Sequence, residues 1–243
     1  LNILVKGFMI FQKDVPKEEC GVVGVYSNNA QSISKEIFFG LYALQHRGQE
    51  SAGICTSDGK KFNVHKGMGL VAQVFEESVF DKLKGNVGIG HTRYSTTGSS
   101  KIENAQPFLA ESYNTDIALA HNGNVINSNE LKKDIINSGY NLSSSSDSEI
   151  IAHLIAYAPA QSWKDRIAYC MRKIQGAYSL VLMDKNQLIG VRDPLGVRPL
   201  CIGKKDNQWI IASESCALDH MGAEFVREVN PGEAVLIDKN GIK

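Results

Sequence analysis

The sequence has no net charge: 26 Lys and Arg offset 26 Asp and Glu. With no basic block and no RNA-binding signature, it carries no electrostatic footprint for nucleic acid. It has no apolar run near the roughly 18–20 residues that a membrane span needs. Cysteine is sparse and scattered, at 20, 55, 170, 201 and 216. No CxxC spacing occurs, so no zinc or redox pair is indicated, and a metal site is not expected. The five read as reduced thiols of a cytoplasmic protein, most of them small core residues. Internal repeats, low-complexity tracts and linkers are also missing. The opening "LNILVKGFMIF" is broken by Lys6 and followed by "QKDVPKEE", which is not the pattern of a targeting segment.

What is present fits one domain with a large core. Residues 20–26 read as a strand. Ile33, Ile37, Leu41 and Leu44 recur at helical spacing, with Gly48 as the stop in a left-handed cap. "SAGICTSDGKKFNVHKG" reads as a hairpin turning at Asp58-Gly59. A short helix is expected around 70–83, then a strand at 86–92 and a polar loop, "YSTTGSSKIENAQP". "DIALAHNGNVI" reads as a strand running into a turn at Asn122-Gly123. Two helices follow, "NSNELKKDIINSG" and "SDSEIIAHLIAYA", the second with Ser146 and Glu149 as a capping box. A third is expected at 162–174. The final seventy residues read as short strands, "GAYSLVLMD", "QLIGVRD", "QWIIAS" and "EAVLID". Strands so close in sequence must pair antiparallel. Hairpins among helix pairs predict an α+β fold of layered antiparallel sheets covered by helices.

Five stretches carry candidate chemistry, and each also has a plain structural reading. Cys20 opens the first strand behind Glu18 and Glu19; it fits a small core residue or a nucleophile kept under a leader. In "LYALQHRGQESAGI", His46 and Arg47 suit a helix C-terminus, but the polar "QES" before the next apolar run is left unexplained. "GIGHTRYSTTGSS" delivers His91, Arg93 and Tyr94 into a hydroxyl-rich loop. Arg93 fits either a solvated side chain or a carboxylate clamp, since guanidinium binds carboxylates bidentately. In "ALAHNGNVI", Asn122 and Gly123 fit a hairpin turn, or an amide and a bare backbone N–H aimed together as an oxyanion hole. In "SSSDSEI", Asp147 sits in a helix first turn and suits a substrate ammonium.

Taken together and in this order, these stretches resemble the glutaminase domain of the glutamine phosphoribosylpyrophosphate amidotransferases (amidophosphoribosyltransferases). These are class II glutamine amidotransferases of the N-terminal-nucleophile hydrolase superfamily. The residues that carry the resemblance are "ECGVVGVY", "LYALQHRGQESAGI", "HKGMGLVAQVF", "GIGHTRYSTTGSS", "IENAQPF", "LAHNGNVIN", "SSDSEI", "GAYSLVLM", "DPLGVRPL", "ASESCALD" and "REVNPGEAVLID". They run from about residue 18 to 239.

The resemblance implies an αββα fold of antiparallel sheets between helices. It implies Cys20 as nucleophile once a leader is removed, Asn122 and Gly123 as oxyanion hole, and Arg93 and Asp147 on the α-carboxylate and α-ammonium of glutamine. Arg47, Gly48 and Thr96 are implied to line the glutamine pocket and its closing loop. Residues 1–19 are then a leader, with Met9 as start and 1–8 as upstream sequence, and residues 20–243 the glutaminase domain. The sequence offers no histidine that is clearly a base for Cys20. A freed α-amine, with an ordinary pKa of about 7.7–8.0, fills that role.

In the family, ammonia passes to a phosphoribosyltransferase domain and displaces pyrophosphate from phosphoribosylpyrophosphate, giving phosphoribosylamine for purine synthesis. No Asp-Asp phosphoribosyl-binding motif appears here, so that domain is expected to lie outside this chain. The full-length enzyme is implied to be a homo-oligomer that uses Mg2+, and some relatives hold a [4Fe-4S] cluster. This chain has no clustered cysteines for one. Two alternatives remain at this point. One is another class II amidotransferase such as glucosamine-6-phosphate synthase, which tends to show "YRGYDSAG" and "TRWATHG" where this chain has "HRGQESAG" and "TRYSTTG". The other is an unprocessed, non-catalytic glutamine-binding module.

Overall fold

The computed structural model describes residues 20–29, 33–94, 101–112, 115–137 and 139–243. The expected leader and Thr96 lie outside the described residues. Along the chain run β1 (Gly21–Ser27), α1 (Ser34–Ala43), a 3-10 turn (Gln45–Arg47), β2 (Ser51–Ser57) and β3 (Phe62–Met68). Next are α2 (Val71–Val74), α3 (Glu77–Phe80), β4 (Val87–Arg93), β5 (Phe108–Ala110) and β6 (Ile117–Val125). Three helices follow, α4 (Ser128–Asn137), α5 (Asp147–Ala156) and α6 (Trp163–Lys173), then β7 (Gly176–Met183) and β8 (Leu188–Arg192). The chain continues through β9 (Cys201–Lys205), β10 (Gln208–Ala212), α7 (Ser215–Met221), β11 (Glu224–Glu228), β12 (Ala234–Asp238) and β13 (Gly241–Ile242).

The strands form two antiparallel sheets. One has the order β11-β9-β10-β1-β4-β2-β3 and the other β13-β12-β8-β7-β6-β5. Three apolar layers hold them. Val22, Tyr26, Val87 and Ile89 of the first sheet meet Ala118, Ala120, Val181 and Leu188 of the second. Val23 and Val25 face the other way, onto Ile37, Leu41 and Leu218 of α1 and α7. Ile117 and Leu119 face Ile151 and Ile155 of α5. The expected αββα layering is therefore present, and the alternation of each strand follows from it. β1 and β4 are buried along their whole length because both faces are covered.

Local chemistry explains most elements. Ile33, Ile37, Leu41 and Leu44 are all 0% exposed, and each buried side chain of this size contributes about 1.5–3 kcal/mol of transfer free energy. That stripe, more than capping, makes α1: its N-cap has no side-chain hydrogen bond. Asp58 Oδ1 accepts from the Lys60 and Lys61 amides at 2.9 and 3.1 Å, which closes the predicted hairpin.

Four local expectations change. Gly48 is extended, with φ −162°, and not left-handed. A Cβ there would lie 2.7 Å from backbone atoms of Thr92 and Arg93, so close approach is the reason for glycine. Asn122-Gly123 is not a turn, because β6 runs through it to Val125. The capping box is rearranged: Ser146 Oγ accepts from the Ser148 amide, while the Glu149 carboxylate takes the amides and hydroxyls of Ser143 and Ser144. Finally, the helix expected at 70–83 is two separate turns, α2 and α3.

Candidate active site

Strand periodicity gathers the site. Cys20 shares the face of Val22, His91 and Arg93 share that of Ile89, and Asn122 shares that of Ala120. All of these faces look into the space between the sheets. Gly21 pairs with Thr92, so Cys20, one step further out, comes beside Arg93. A small cleft opens there, lined by Cys20, Arg93, Tyr94, Gln106, His121, Gly123, Ser146, Asp147 and Ser148.

Cys20 Sγ lies 3.6 Å from the Tyr94 carbonyl. Burial pushes its thiol above the ordinary range, and the Arg93 charge opposes this without cancelling it. At neutral pH the sulfur therefore keeps its proton and needs a base to act as a nucleophile. Arg93 is 4% exposed, and its Nη1 donates to Glu50 Oε1. Burial acts to raise the Asp147 carboxyl, but His121 and hydrogen bonds from the Val125 and Ser148 backbone outweigh it, so the net shift is downward. The Val125 amide donates to Asp147 Oδ2 at 3.0 Å, and His121 Nδ1 is 3.6 Å from Oδ1. A guanidinium and an ionised carboxylate thus flank the thiol.

The two proposed oxyanion donors differ in setting. Asn122 is 0% exposed, and neither its Nδ2 nor its Oδ1 has a partner. Leaving a buried amide unpaired costs about 1–3 kcal/mol; Asn122 lies just behind the cavity wall, between His121 and Gly123, which line it. Gly123 has φ +149°, and a Cβ would lie 2.1 Å from the Ala177 carbonyl oxygen, so only glycine fits.

Arg47 and Gly48 stand just behind the cavity rather than on its wall. Arg47 Nε donates to the Cys20 carbonyl at 3.1 Å, and its Nη1 pairs with Glu214. The Gly48 carbonyl accepts from Thr92 Oγ1 at 2.5 Å. Both brace the ends of β1 and β4.

Three residues passed over in the sequence complete the wall. Gln106 Oε1 accepts from the His121 amide at 2.7 Å, and its Nε2 donates to the His121 carbonyl at 3.3 Å. Its side-chain amide thus continues the pairing that β5 begins with Phe108 and Leu119, and it grips the residue next to Asn122. Ser148 Oγ contacts His121 Nδ1 at 3.0 Å. The available signal for Gln106 was a carboxamide directly before Pro107 at the start of an apolar strand. For His121 it was a histidine inside an otherwise apolar strand.

His91 Nε2 donates to the His121 carbonyl at 3.1 Å, and burial lowers its pKa to about 3. Unfolded, the ring takes a proton near pH 6.5. Between those values the unfolded chain holds more protons, so stability falls as pH falls, by up to about 1.4 kcal/mol per pH unit. His91→Gln keeps a donor for His121 and should flatten that slope. From pH 7 to 5 the parent should lose about 2 kcal/mol more than the variant in urea unfolding; parallel curves would contradict it.

The cysteines do not fit an iron–sulfur cluster: Cys55, Cys170 and Cys201 are buried in three different apolar layers. Among the described residues no three carboxylates converge as an oxygen site for Mg2+, and no helix is long and apolar enough to cross a membrane.

Residues 91–220 match the glutamine amidotransferase domain family. The chain is 46% identical over 228 residues to an amidophosphoribosyltransferase of Methanothermobacter thermautotrophicus, covering 92% of this chain and 48% of that one. It is 46% identical to the amidophosphoribosyltransferase of Mus musculus, over 93% of this chain and 50% of the relative. Among solved structures, the glutamine phosphoribosylpyrophosphate amidotransferase from B. subtilis complexed with ADP and GMP superposes with a TM-score of 0.84. That match is at 42% identity, over 92% of this chain and 48% of that one. The chain spans about half the length of these relatives. The shared sandwich is the N-terminal-nucleophile hydrolase fold, and the chain belongs to the glutamine amidotransferase domain family, as the class II glutamine amidotransferase domain of the amidophosphoribosyltransferases.

Proposed function

We propose that residues 20–243 hydrolyse glutamine to glutamate and ammonia, after removal of residues 1–19 as a leader. We further propose that they do so within a longer homo-oligomeric, cytoplasmic enzyme that needs Mg2+. A phosphoribosyltransferase part there combines the ammonia with phosphoribosylpyrophosphate, releasing pyrophosphate and forming 5-phosphoribosylamine, the first step of de novo purine synthesis. The observation that carries the reading is the unpaired, buried Asn122 amide in the same inter-sheet space as a protonated Cys20.

The freed α-amine of Cys20 takes the thiol proton, and sulfur attacks the glutamine amide carbon. Asn122 Nδ2 and the Gly123 N–H hold the resulting oxyanion. The C–N bond breaks, the amine's proton leaves with ammonia, and a thioester remains. Water, deprotonated by the same amine, hydrolyses the thioester to glutamate and regenerates the thiol. Arg93 and Asp147 fit the two charged ends of glutamine, so amides without those charges should be poor substrates. Thr96 is assigned to the closing loop, and Arg47 and Gly48 to bracing the pocket.

The test uses the full-length enzyme with amide-15N glutamine. The label should appear in phosphoribosylamine when phosphoribosylpyrophosphate is supplied, and in free ammonia when it is withheld. No glutamate release from protein beginning at Cys20 would overturn the hydrolytic reading in favour of a binding module.

Arg93 offers a narrower check. Arg93→Lys keeps a cation for Glu50 but loses the planar fork, so it should fold. Losing a charge-assisted contact costs about 1.5–3 kcal/mol, a KM increase of roughly ten- to a hundredfold with kcat little changed. Arg93→Ala should also destabilise the domain by about 1.5–3 kcal/mol, because the half-buried Glu50 carboxylate loses its charge-assisted contact with Arg93. An unchanged KM in Arg93→Lys would remove Arg93 from the glutamine site.

A further inference from the structure

We infer that His46, Glu214 and Cys216 form a binding site for a thiophilic divalent cation, Zn2+ by its donor set. His46 lies on the 3-10 turn after α1, Glu214 immediately precedes α7, and Cys216 is in that helix's first turn. Their ligating atoms lie within 4.8 Å of one another. His46 Nε2 is 3.2 Å from Glu214 Oε2, and Cys216 Sγ is 3.5 Å from the same oxygen. Tetrahedral zinc with bonds of about 2.0–2.3 Å sets those two edges at about 3.3 and about 3.6 Å. Two edges of one face of the required tetrahedron are therefore already set, and the third, from Nε2 to Sγ, lies within 4.8 Å.

The tautomer agrees. His46 Nδ1 is 3.1 Å from the Ala43 carbonyl, which can only accept, so Nδ1 carries the ring proton. Nε2 is left facing Glu214 Oε2 at 3.2 Å, where a cation would take the place of the proton that the two groups can share. Imidazole, carboxylate and thiolate together are a zinc-type set and a poor one for Mg2+ or Ca2+. Metal entry releases the Cys216 proton to solvent, and water takes the fourth corner. His46 is exposed and the other two half-buried, so the ion reaches the site without opening the fold. None of the three lines the glutamine cavity. The site nevertheless adjoins it, because Glu214 also pairs with Arg47, which holds the Cys20 carbonyl.

The experiment uses the enzyme carrying Cys20→Ala, since the Cys20 thiol with a free amine would itself chelate; the result is then independent of glutamine chemistry. Reduced, metal-free protein is titrated with Co2+ and followed by absorption. The expected result is one Co2+ per chain with a thiolate-to-cobalt charge-transfer band and tetrahedral visible bands, both abolished by one equivalent of Zn2+. Adding Cys216→Ala should remove the charge-transfer band, and adding His46→Ala should weaken Co2+ binding by more than about a hundredfold, beyond what loss of an outer partner costs. Cys216→Ser substitutes if the alanine variant fails to melt cooperatively. Absence of the band in the Cys20→Ala enzyme, its persistence without Cys216, or unchanged affinity without His46 would each overturn the site.

Discussion

Cys20→Ser protein is expected to fold and melt like its parent and to release no measurable glutamate from glutamine. The structural cost is small because the sulfur makes one long polar contact, 3.6 Å to the Tyr94 carbonyl, and a hydroxyl fills nearly the same space. The chemical cost is large. Burial already holds the thiol in its protonated form, and an alcohol is far harder to deprotonate. An amine with an ordinary pKa near 7.7–8.0 can draw a proton from a thiol but is a weak base for serine. Removal of a nucleophile from an assembled site typically costs several orders of magnitude, so the loss should exceed about a thousandfold. The other cysteines should tolerate Ser or Ala without losing turnover, since Cys55, Cys170 and Cys201 pack in apolar layers. A diazo-ketone analogue of glutamine should label Cys20, and only in molecules whose first residue is Cys20. Peptide mapping beside N-terminal sequencing of one sample decides this. Labelling of molecules that still carry residues 9–19 would remove the α-amine from the mechanism, because that nitrogen would be an amide without a basic lone pair.

Much of this fold was legible because local patterns and tertiary packing agree. The stripe of Ile33, Ile37, Leu41 and Leu44 made α1 visible, and the Asp58-Gly59 turn made the β2–β3 hairpin visible. Elements whose stability comes from distant partners were not legible. β9 and β11 pair across α7, and β1 lies between β10 and β4, strands separated by more than a hundred residues. Nothing in "GVVGVYS" states that pairing. Asn122-Gly123 shows the opposite failure: a strong turn signal is overridden because β7 pairs with β6 along its whole length. Gly123 meets that demand through its positive φ, and the strand continues.

The site divides in the same way. Cys20, Arg93, Asn122, Gly123 and Asp147 stood out because each is chemically unusual in its local run. Gln106 and His121 did not, since their roles arise from contact between segments: a glutamine side chain from before β5 completes the backbone bonds of a β6 residue. Lys66 of β3 adds a third segment by donating to the Ala105 and Pro107 carbonyls at 2.8 and 3.3 Å. A carboxamide that imitates a missing strand is recognised only after the strands are placed.

Asn122 separates catalytic from structural weight most sharply. A buried side chain that helps hold the fold shows its bonds, and its removal destabilises. Asn122 is fully buried with both amide atoms unpaired, so the resting fold bears its desolvation without return. Asn122→Leu, close in shape and without polar atoms, should therefore leave stability unchanged or raise it by up to about 1–3 kcal/mol, the cost of an unpaired buried group. In the proposed mechanism the same substitution removes one of two donors to the tetrahedral oxyanion. Loss of such a donor costs about 2.7–4 kcal/mol, or roughly a hundred- to a thousandfold in kcat. KM for glutamine should change little, since the interaction strengthens only as charge develops on the oxygen. Asn122→Asp sharpens the contrast: it places an acceptor, and at neutral pH a charge, where a donor is needed, and should lose both activity and stability. Glutamate release and urea unfolding on the two variants give four numbers that must fall in this pattern. A destabilised but active Asn122→Leu protein would make Asn122 a packing residue and leave the oxyanion to backbone donors alone.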